Sequence, residues 1–156
     1  MSLRRLGVFI ATCAHVGYAP FAPGTWGSAV GLVVYYLVRR QASTAIELST
    51  IAVIFGVGLW AATEAEHHFG GIDPGPVVID EVIGMLITLA LHPVNVVGAM
   101  LGFLVFRVLD VVKPWPARRL ELLPGGFGVV LDDVMAGIYG NLLMWVAIRL
   151  VPTWFT

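Results

Sequence analysis

The sequence predicts an all-α membrane protein, a polytopic bundle of five to six short helices of which some are broken or re-entrant. Of its 156 residues, 58% are hydrophobic and 12% are charged, whereas ordinary soluble domains carry about 25% charged residues. The mean hydropathy is +0.89. The apolar residues form runs that clusters of Pro and Gly separate. Because no repeat or linker divides the chain, we expect one membrane-embedded domain over residues 1–156.

Charge and cysteine content exclude several classes of protein. The formal net charge of -1 provides no basic surface for nucleic acid, so we expect no nucleic-acid partner. The single cysteine, Cys13, cannot form an intramolecular disulfide. Arg4 and Arg5 before an apolar run are similar to an export signal, but no A-x-A cleavage site precedes Pro20. A retained first helix fits this pattern better.

Hydrophobic runs and helix breakers predict six helices. They cover residues 6–16, 24–40, 45–63, 77–91, 94–112 and 129–151. Several are shorter than the about 20 residues that a complete membrane span needs. Polar helix ends would then be shielded by neighbouring helices rather than by lipid. We expect the first helix to lie on the inner membrane face or to re-enter from it, and His67 and His68 to lie in a polar loop.

The distribution of Lys and Arg predicts the orientation of the bundle. With the amino terminus inside, six cations lie inside and three outside, which agrees with the positive-inside tendency, although Arg39 and Arg40 are a local exception. The same path brings polar residues from four helices to the inner face. These residues are Thr25, Ser28, Asp80, Glu81, Arg107, Asp110, Asp132 and Asp133.

Two acidic pairs, Asp80–Glu81 and Asp132–Asp133, lie within apolar runs. A carboxylate at the centre of a membrane helix costs about 2.5–3.5 kcal/mol on insertion scales. Adjacent carboxylates also repel each other unless a cation neutralises them, and Mg²⁺ prefers carboxylate and phosphate oxygens. We therefore take all four as candidate catalytic residues and metal ligands. The alternative is that each pair is a solvated helix cap.

The segment FRVLDVVKPWP at residues 106–116 supplies positive charge. Arg107 and Asp110 are three residues apart and can pair on one helix face, and Pro114 should end the helix near Lys113. Arg107 and Lys113 are candidates for phosphate binding, and Asp110 is a further candidate catalytic carboxylate. The alternative is a structural salt bridge beside a cationic helix end.

The segment APGTWGS at residues 22–28 precedes another apolar run. Thr25 or Ser28 could cap the helix that follows, while Gly24 and Gly27 would let backbone N–H groups approach an anion. We therefore take Thr25 and Ser28 as candidate substrate-binding residues. The alternative is an ordinary helix start.

Four blocks together resemble the phosphatidylglycerophosphatase A family. The blocks are APGTWGS at 22–28, IDEVIGM at 79–85, FRVLDVVKPWP at 106–116 and GGFGVVLDDVMAG at 125–137. The resemblance implies a multi-pass, Mg²⁺-dependent lipid phosphatase of the bacterial inner membrane. It also implies that the enzyme converts phosphatidylglycerophosphate to phosphatidylglycerol and inorganic phosphate at the cytoplasmic face.

The residues leave several alternatives open. One carboxylate could be the general base or a covalent nucleophile, and formation of a homo-oligomer is undecided. Intramembrane carboxylates in short, broken helices also mark cation transporters and channels. The charges cluster at one end of the predicted bundle, which favours the enzyme over a transport path. A small membrane scaffold is a weaker alternative.

Overall fold

The computed structural model describes residues 2–156 as helices joined by turns and loops, which confirms the predicted all-α class. The five longer helices are α2 (Pro23–Arg39), α3 (Thr44–Phe69), α4 (Ile79–Leu89), α5 (Val96–Val112) and α7 (Gly126–Leu150). The three shorter helices are α1 (Leu3–Ala11), α6 (Ala117–Leu120) and α8 (Pro152–Phe155). A single 3₁₀ turn forms at Val16–Tyr18.

Helix α4 is the central helix, and it packs closely against α7. A Cβ atom added at Gly137 would lie 2.6 Å from the carbonyl oxygen of Gly84, and one at Gly140 would lie 2.8 Å from Oγ1 of Thr88. The later residue of α7 contacts the later residue of α4, so the two helices run parallel. The absence of side chains at Gly137 and Gly140 allows α7 to approach α4 closely.

Helix α2 packs against another side of α4 in the same direction. Gly24 lies against Glu81 in the first turn of α4, and Gly31 lies against Met85 one turn further on. Helices α2, α4 and α7 therefore begin at the same end of the bundle.

Helices α3 and α5 run in the opposite direction. Near the start of α3, Glu47 accepts a hydrogen bond of 3.0 Å from the backbone N–H of Leu91, beyond the end of α4, while Gly58 packs against Ile83 and Ile79 in the first half of α4. In α5, Gly102 packs against the last turn of α4 and Phe106 against its middle. This alternation agrees with the chain path expected from the sequence.

The first helix differs from the predicted range of 6–16. Helix α1 ends at Ala11 because residues 13–15 all adopt left-handed φ angles of 45°, 54° and 76°. Its nine residues are about 13.5 Å long, less than half of a hydrocarbon core about 30 Å thick. The backbone N–H of Val78 donates to the carbonyl of Ala11 at 2.9 Å, so the tip of α1 lies beside the start of α4.

Other differences concern the ends of helices. Helix α3 continues to Phe69, so the expected polar loop at His67 and His68 is wrong. Alanine and glutamate favour helix, and no Gly or Pro interrupts this stretch before Gly70, whose φ is 73°. The sequence did not predict α6 and α8, because four-residue helices are too short to show a hydrophobic period.

Two helices, α3 and α7, are long and apolar enough to cross a membrane by length and composition. Only 22% of the residues in the most apolar stretch of α3 are buried, against 44% in α7. The remaining apolar surface faces outward. Helices α2 and α5, with 17 residues each, and α4, with 11, are shorter.

Candidate active site

Three carboxylates meet where α4 and α7 begin. Asp80, Glu81 and Asp133 each offer an oxygen atom, and these three atoms lie within 4.8 Å of one another. Asp80 is 6% exposed and Asp133 is 3% exposed. The first turn of α4 carries Asp80 and Glu81, and the close packing of α4 on α7 brings Asp133 to them.

Each of these carboxylates has a buried oxygen without a hydrogen-bond partner in the described chain. These atoms are Oδ1 of Asp80, Oε2 of Glu81 and Oδ2 of Asp133. Buried polar atoms are normally paired, because burying them unpaired costs free energy. Three convergent carboxylate oxygens are a suitable donor set for a hard divalent cation such as Mg²⁺. The residues present therefore fit the metal that the resemblance implies.

Arg107 lies beside this carboxylate trio. Its Nη1 atom is 2.6 Å from Oδ2 of Asp110, 3.5 Å from Oγ of Ser28 and 3.7 Å from Oε1 of Glu81. A guanidinium has five N–H donors, and none of these three contacts uses Nη2 or Nε. A phosphate can be bound through that remaining edge.

The first turn of α2 forms one wall of the site. Gly24 lies directly against the Glu81 carboxylate and the Arg107 guanidinium. The expectation that Thr25 or Ser28 caps this helix is wrong, because the N-cap is Ala22 in a left-handed conformation and no side chain caps it. Pro23 presets the first helical φ and has no N–H to satisfy. Ser28 instead donates to the Gly24 carbonyl at 2.9 Å, and Thr25 is half-buried.

Asp132 lies apart from the trio. Its Oδ2 atom is 2.6 Å from Nζ of Lys113, and the same ammonium lies 3.2 Å from Oε1 of Glu121. Successive residues of a helix point about 100° apart, so Asp132 and Asp133 face different neighbours. Partial burial opposes the charge of Lys113, but the hydrogen bonds and negative charges of Asp132 and then Glu121 raise its pKa above the usual value.

The region as a whole carries an excess of negative charge. Its acidic side chains are Asp80, Glu81, Asp110, Glu121, Asp132 and Asp133, and its basic side chains are Arg107 and Lys113. If all are ionised, six negative and two positive charges give a net charge of -4. An anionic phosphate would be repelled unless a further cation were bound.

Three features near this region were not predicted from the sequence. They are the contact between Gly24 and Glu81, the position of Glu121 beside Lys113, and the position of Asp73. Asp73 is half-buried in the segment before α4 and has a φ of 48°. Burial raises the pKa of its carboxyl, although the positive charge of Lys113 opposes this increase. The Asp-Pro step in a stretch rich in Gly and Pro was the available signal for Asp73, because such stretches favour unusual backbone conformations. For Glu121 there was no local signal.

Comparisons with known proteins agree with the resemblance. The family described as "PgpA: Phosphatidylglycerophosphatase A" matches residues 9–148. A Bacteroides thetaiotaomicron protein named "Putative phosphatidylinositol-3-phosphatase" is 38% identical, over 91% of this chain and 93% of the relative. Proteins named "Phosphatidylglycerophosphatase A" are 37% identical in Escherichia coli, over 78% of this chain and 72% of the relative, and 34% identical in Haemophilus influenzae, over 80% and 77%.

No solved structure matches the chain. The family match covers most of the chain, and all three relatives exceed 30% identity. The chain therefore belongs to the phosphatidylglycerophosphatase A family.

Proposed function

We propose that the protein hydrolyses the terminal phosphomonoester of phosphatidylglycerophosphate, in a Mg²⁺-dependent reaction that yields phosphatidylglycerol and inorganic phosphate. Family membership and the two relatives named for this activity support the substrate. The observation that carries the chemistry is the carboxylate trio, whose buried oxygens converge without partners.

Asp80, Glu81 and Asp133 would hold the metal. When bound, Mg²⁺ neutralises charge on a phosphoryl group and lowers the pKa of a coordinated water. Arg107 would bind nonbridging phosphate oxygens through Nε and Nη2, because Asp110 and Glu81 hold its Nη1 atom. Gly24 has no side chain, so the Glu81 carboxylate and the Arg107 guanidinium can both lie against the start of α2.

Hydrolysis forms a bond between water oxygen and phosphorus and breaks the bond from phosphorus to the ester oxygen. The water needs an acceptor for one proton, and the ester oxygen takes up a proton and leaves as a hydroxyl of the glycerol product, so the protons balance. A carboxylate oxygen of the trio that does not bind the metal would be the base at hand. Positioning and charge stabilisation account for most of the catalysis of phosphoryl transfer.

We place the chain in the bacterial inner membrane as a multi-pass bundle, with the site facing the cytoplasm and the lipid bilayer as its surroundings. The apolar surfaces of α3 and α7 support this placement. Arg118 and Arg119 are exposed on α6, close in sequence to Lys113. Cations concentrated at that end agree with the positive-inside tendency.

A second lipid substrate merits a direct comparison. The Bacteroides relative covers more of this chain than the other two and carries a name that specifies an inositol phospholipid. A phosphorylated inositol lipid presents the same phosphomonoester to the trio and to Arg107. The two substrates differ only beyond the phosphate, in the alcohol that leaves.

The transporter alternative receives no support. None of the three relatives carries a transporter's name. Packed apolar side chains, including Ile83, Met85 and Leu89, fill the core of the bundle along α4 and are essentially inaccessible. They separate the carboxylate trio from the polar contacts at the other end.

The test is phosphate release by the full chain in detergent micelles, with phosphatidylglycerophosphate, phosphatidylinositol 3-phosphate and p-nitrophenyl phosphate as substrates. We expect the glycerol lipid to give the highest kcat/KM, EDTA to abolish turnover and Mg²⁺ to restore it. Asp80→Asn, Glu81→Gln and Asp133→Asn should each lower kcat about 100-fold or more.

Glu66→Gln is the matched control, because Glu66 lies on α3 and forms no ion pair in the described chain. Normal turnover and Mg²⁺ dependence in all three trio variants would show that the site is elsewhere. A higher kcat/KM with the inositol lipid would transfer the proposal to that substrate.

A further inference from the structure

Lys113 joins three separate segments of the chain. It follows the last residue of α5 in a left-handed conformation with a φ of 48°. Its ammonium reaches Asp132 in the second turn of α7 at 2.6 Å and Glu121, just after α6, at 3.2 Å. We call these three side chains the lysine tie.

Asp132 is the most deeply buried of these three side chains. Its side chain is 4% exposed, against 21% for Lys113 and 34% for Glu121. Its Oδ1 atom is buried and has no hydrogen-bond partner in the described chain. The carboxylate therefore depends on Lys113 for compensation, and removal of the lysine would leave a buried charge unpaired.

The surroundings of Lys113 are poor for binding a phosphate. Two carboxylates already face its single positive charge, so the tie carries a net charge of -1. Arg107, by contrast, keeps Nη2 and Nε outside its three contacts. Arg107 and Lys113, which the sequence predicted as phosphate-binding residues, thus have different surroundings.

We propose that the lysine tie positions Asp133 and that neither Lys113 nor Asp132 contacts the metal or the substrate. Asp132 and Asp133 are adjacent on α7, so fixing Asp132 on Lys113 sets the rotation of this turn. In that rotation Asp133 joins Asp80 and Glu81. Lys113 and Glu121 are positioning residues. This inference rests on the proposed metal site.

A double-mutant cycle in the full chain tests the tie. Lys113→Met alone should lower kcat at least about tenfold, because it leaves Asp132 buried and unpaired. Adding Asp132→Asn removes that charge, so the double variant should recover to within about threefold of Asp132→Asn alone. The apparent KM for phosphatidylglycerophosphate should stay near the wild-type value in the double variant. As a control, Lys113→Met combined with Asp133→Asn should show no recovery.

A second measurement needs no substrate. Binding of Mg²⁺ to the folded state should raise the thermal unfolding midpoint of the wild-type protein. Asp132→Asn should keep this increase, because the asparagine oxygen can still accept a hydrogen bond from Lys113, whereas Asp133→Asn should lose it. Absence of the increase in the wild type, together with absence of phosphate release, would instead overturn the proposed function itself.

Three results would contradict the positioning role of the lysine tie. A double variant as inactive as Lys113→Met, with KM raised about tenfold or more, would make Lys113 a phosphate ligand. Loss of the Mg²⁺-induced increase of the unfolding midpoint in Asp132→Asn would make Asp132 a metal ligand.

The variant Glu121→Gln tests the lysine tie if the double variant does not fold. We expect it to show a small loss of kcat at constant KM. A lowered KM would show that the released ammonium binds substrate.

Discussion

Gly24, in the first turn of α2, lies directly against the carboxylate of Glu81 on α4. A Cβ atom at position 24 would overlap Oε1 of Glu81 and would lie 2.9 Å from Nη1 of Arg107. The absence of a side chain at this position is therefore a requirement of the site. It lets an acidic and a basic group from two other helices reach the start of α2 together.

Gly24→Ala should lower kcat/KM about 100-fold, because a displacement of about 1 Å at a reacting group can cost that much. The added methyl group must push away Glu81 or Arg107. Steady-state phosphate release in detergent measures the effect. We expect only a small change in the thermal unfolding midpoint, since the substituted residue lies in the first helical turn.

Gly56→Ala is the matched control for this substitution. Gly56 lies within α3, and a Cβ atom there would meet nothing within 4 Å. Alanine should leave kcat/KM unchanged and stabilise the helix by about 0.5–1 kcal/mol. Equal activity of the two alanine variants would contradict the importance of the contact between Gly24 and Glu81.

Asp110 should act on the substrate through Arg107. Asp110→Asn weakens the 2.6 Å ion pair that orients the guanidinium, so we expect KM to rise about tenfold with a smaller change in kcat. Ser28→Ala should have a weaker effect in the same direction, because its contact with Arg107 is 3.5 Å. A fall in kcat at constant KM would instead place Asp110 among the groups that contact the reacting atoms.

The sequence predicted the arrangement of the helices better than the contacts within the site. The runs that became α2, α3, α4, α5 and α7 alternate in direction, which places the polar residues at one end, and clear Pro and Gly breaks follow α3, α4 and α5. Periodicity reports which residues are apolar and therefore identifies helices well.

Periodicity does not report which of two adjacent carboxylates faces a given neighbour. Asp132 and Asp133 are equivalent in the sequence pattern, and the lysine that separates their roles is 19 residues away from Asp132. The capping prediction at Thr25 and Ser28 was wrong for a related reason. The left-handed conformation of Ala22 starts α2, and alanine gives no signal for it.

Glu47 should be important for stability and not for catalysis. It is 4% exposed, lies 3.2 Å from Arg39 and accepts the N–H of Leu91 at 3.0 Å. Because these contacts lie at the end of α4 opposite the carboxylate trio, Glu47→Gln should lower the free energy of unfolding by about 1–3 kcal/mol while KM and kcat stay unchanged. Chemical denaturation and phosphate release measure the two effects. A tenfold loss of kcat with unchanged stability would contradict this assignment.

Asp73 should make the stability of the protein depend on pH. Burial raises the pKa of its carboxyl above its ordinary value of 3.8, so the folded state binds the proton more tightly than the unfolded state. The carboxyl therefore favours folding fully below pH 3.8, and this contribution is lost as the pH rises through the folded pKa.

Asp73→Asn should remove this dependence. Asparagine has a similar shape and tolerates the left-handed φ of 48° at this position. The variant should therefore unfold at a higher temperature than the wild type near pH 7, and the difference should shrink as the pH is lowered towards 4. Thermal unfolding of both proteins across this pH range measures the effect. If the variant is less stable at pH 7, the ionised carboxylate stabilises the fold, and its attraction to Lys113 outweighs the cost of its burial.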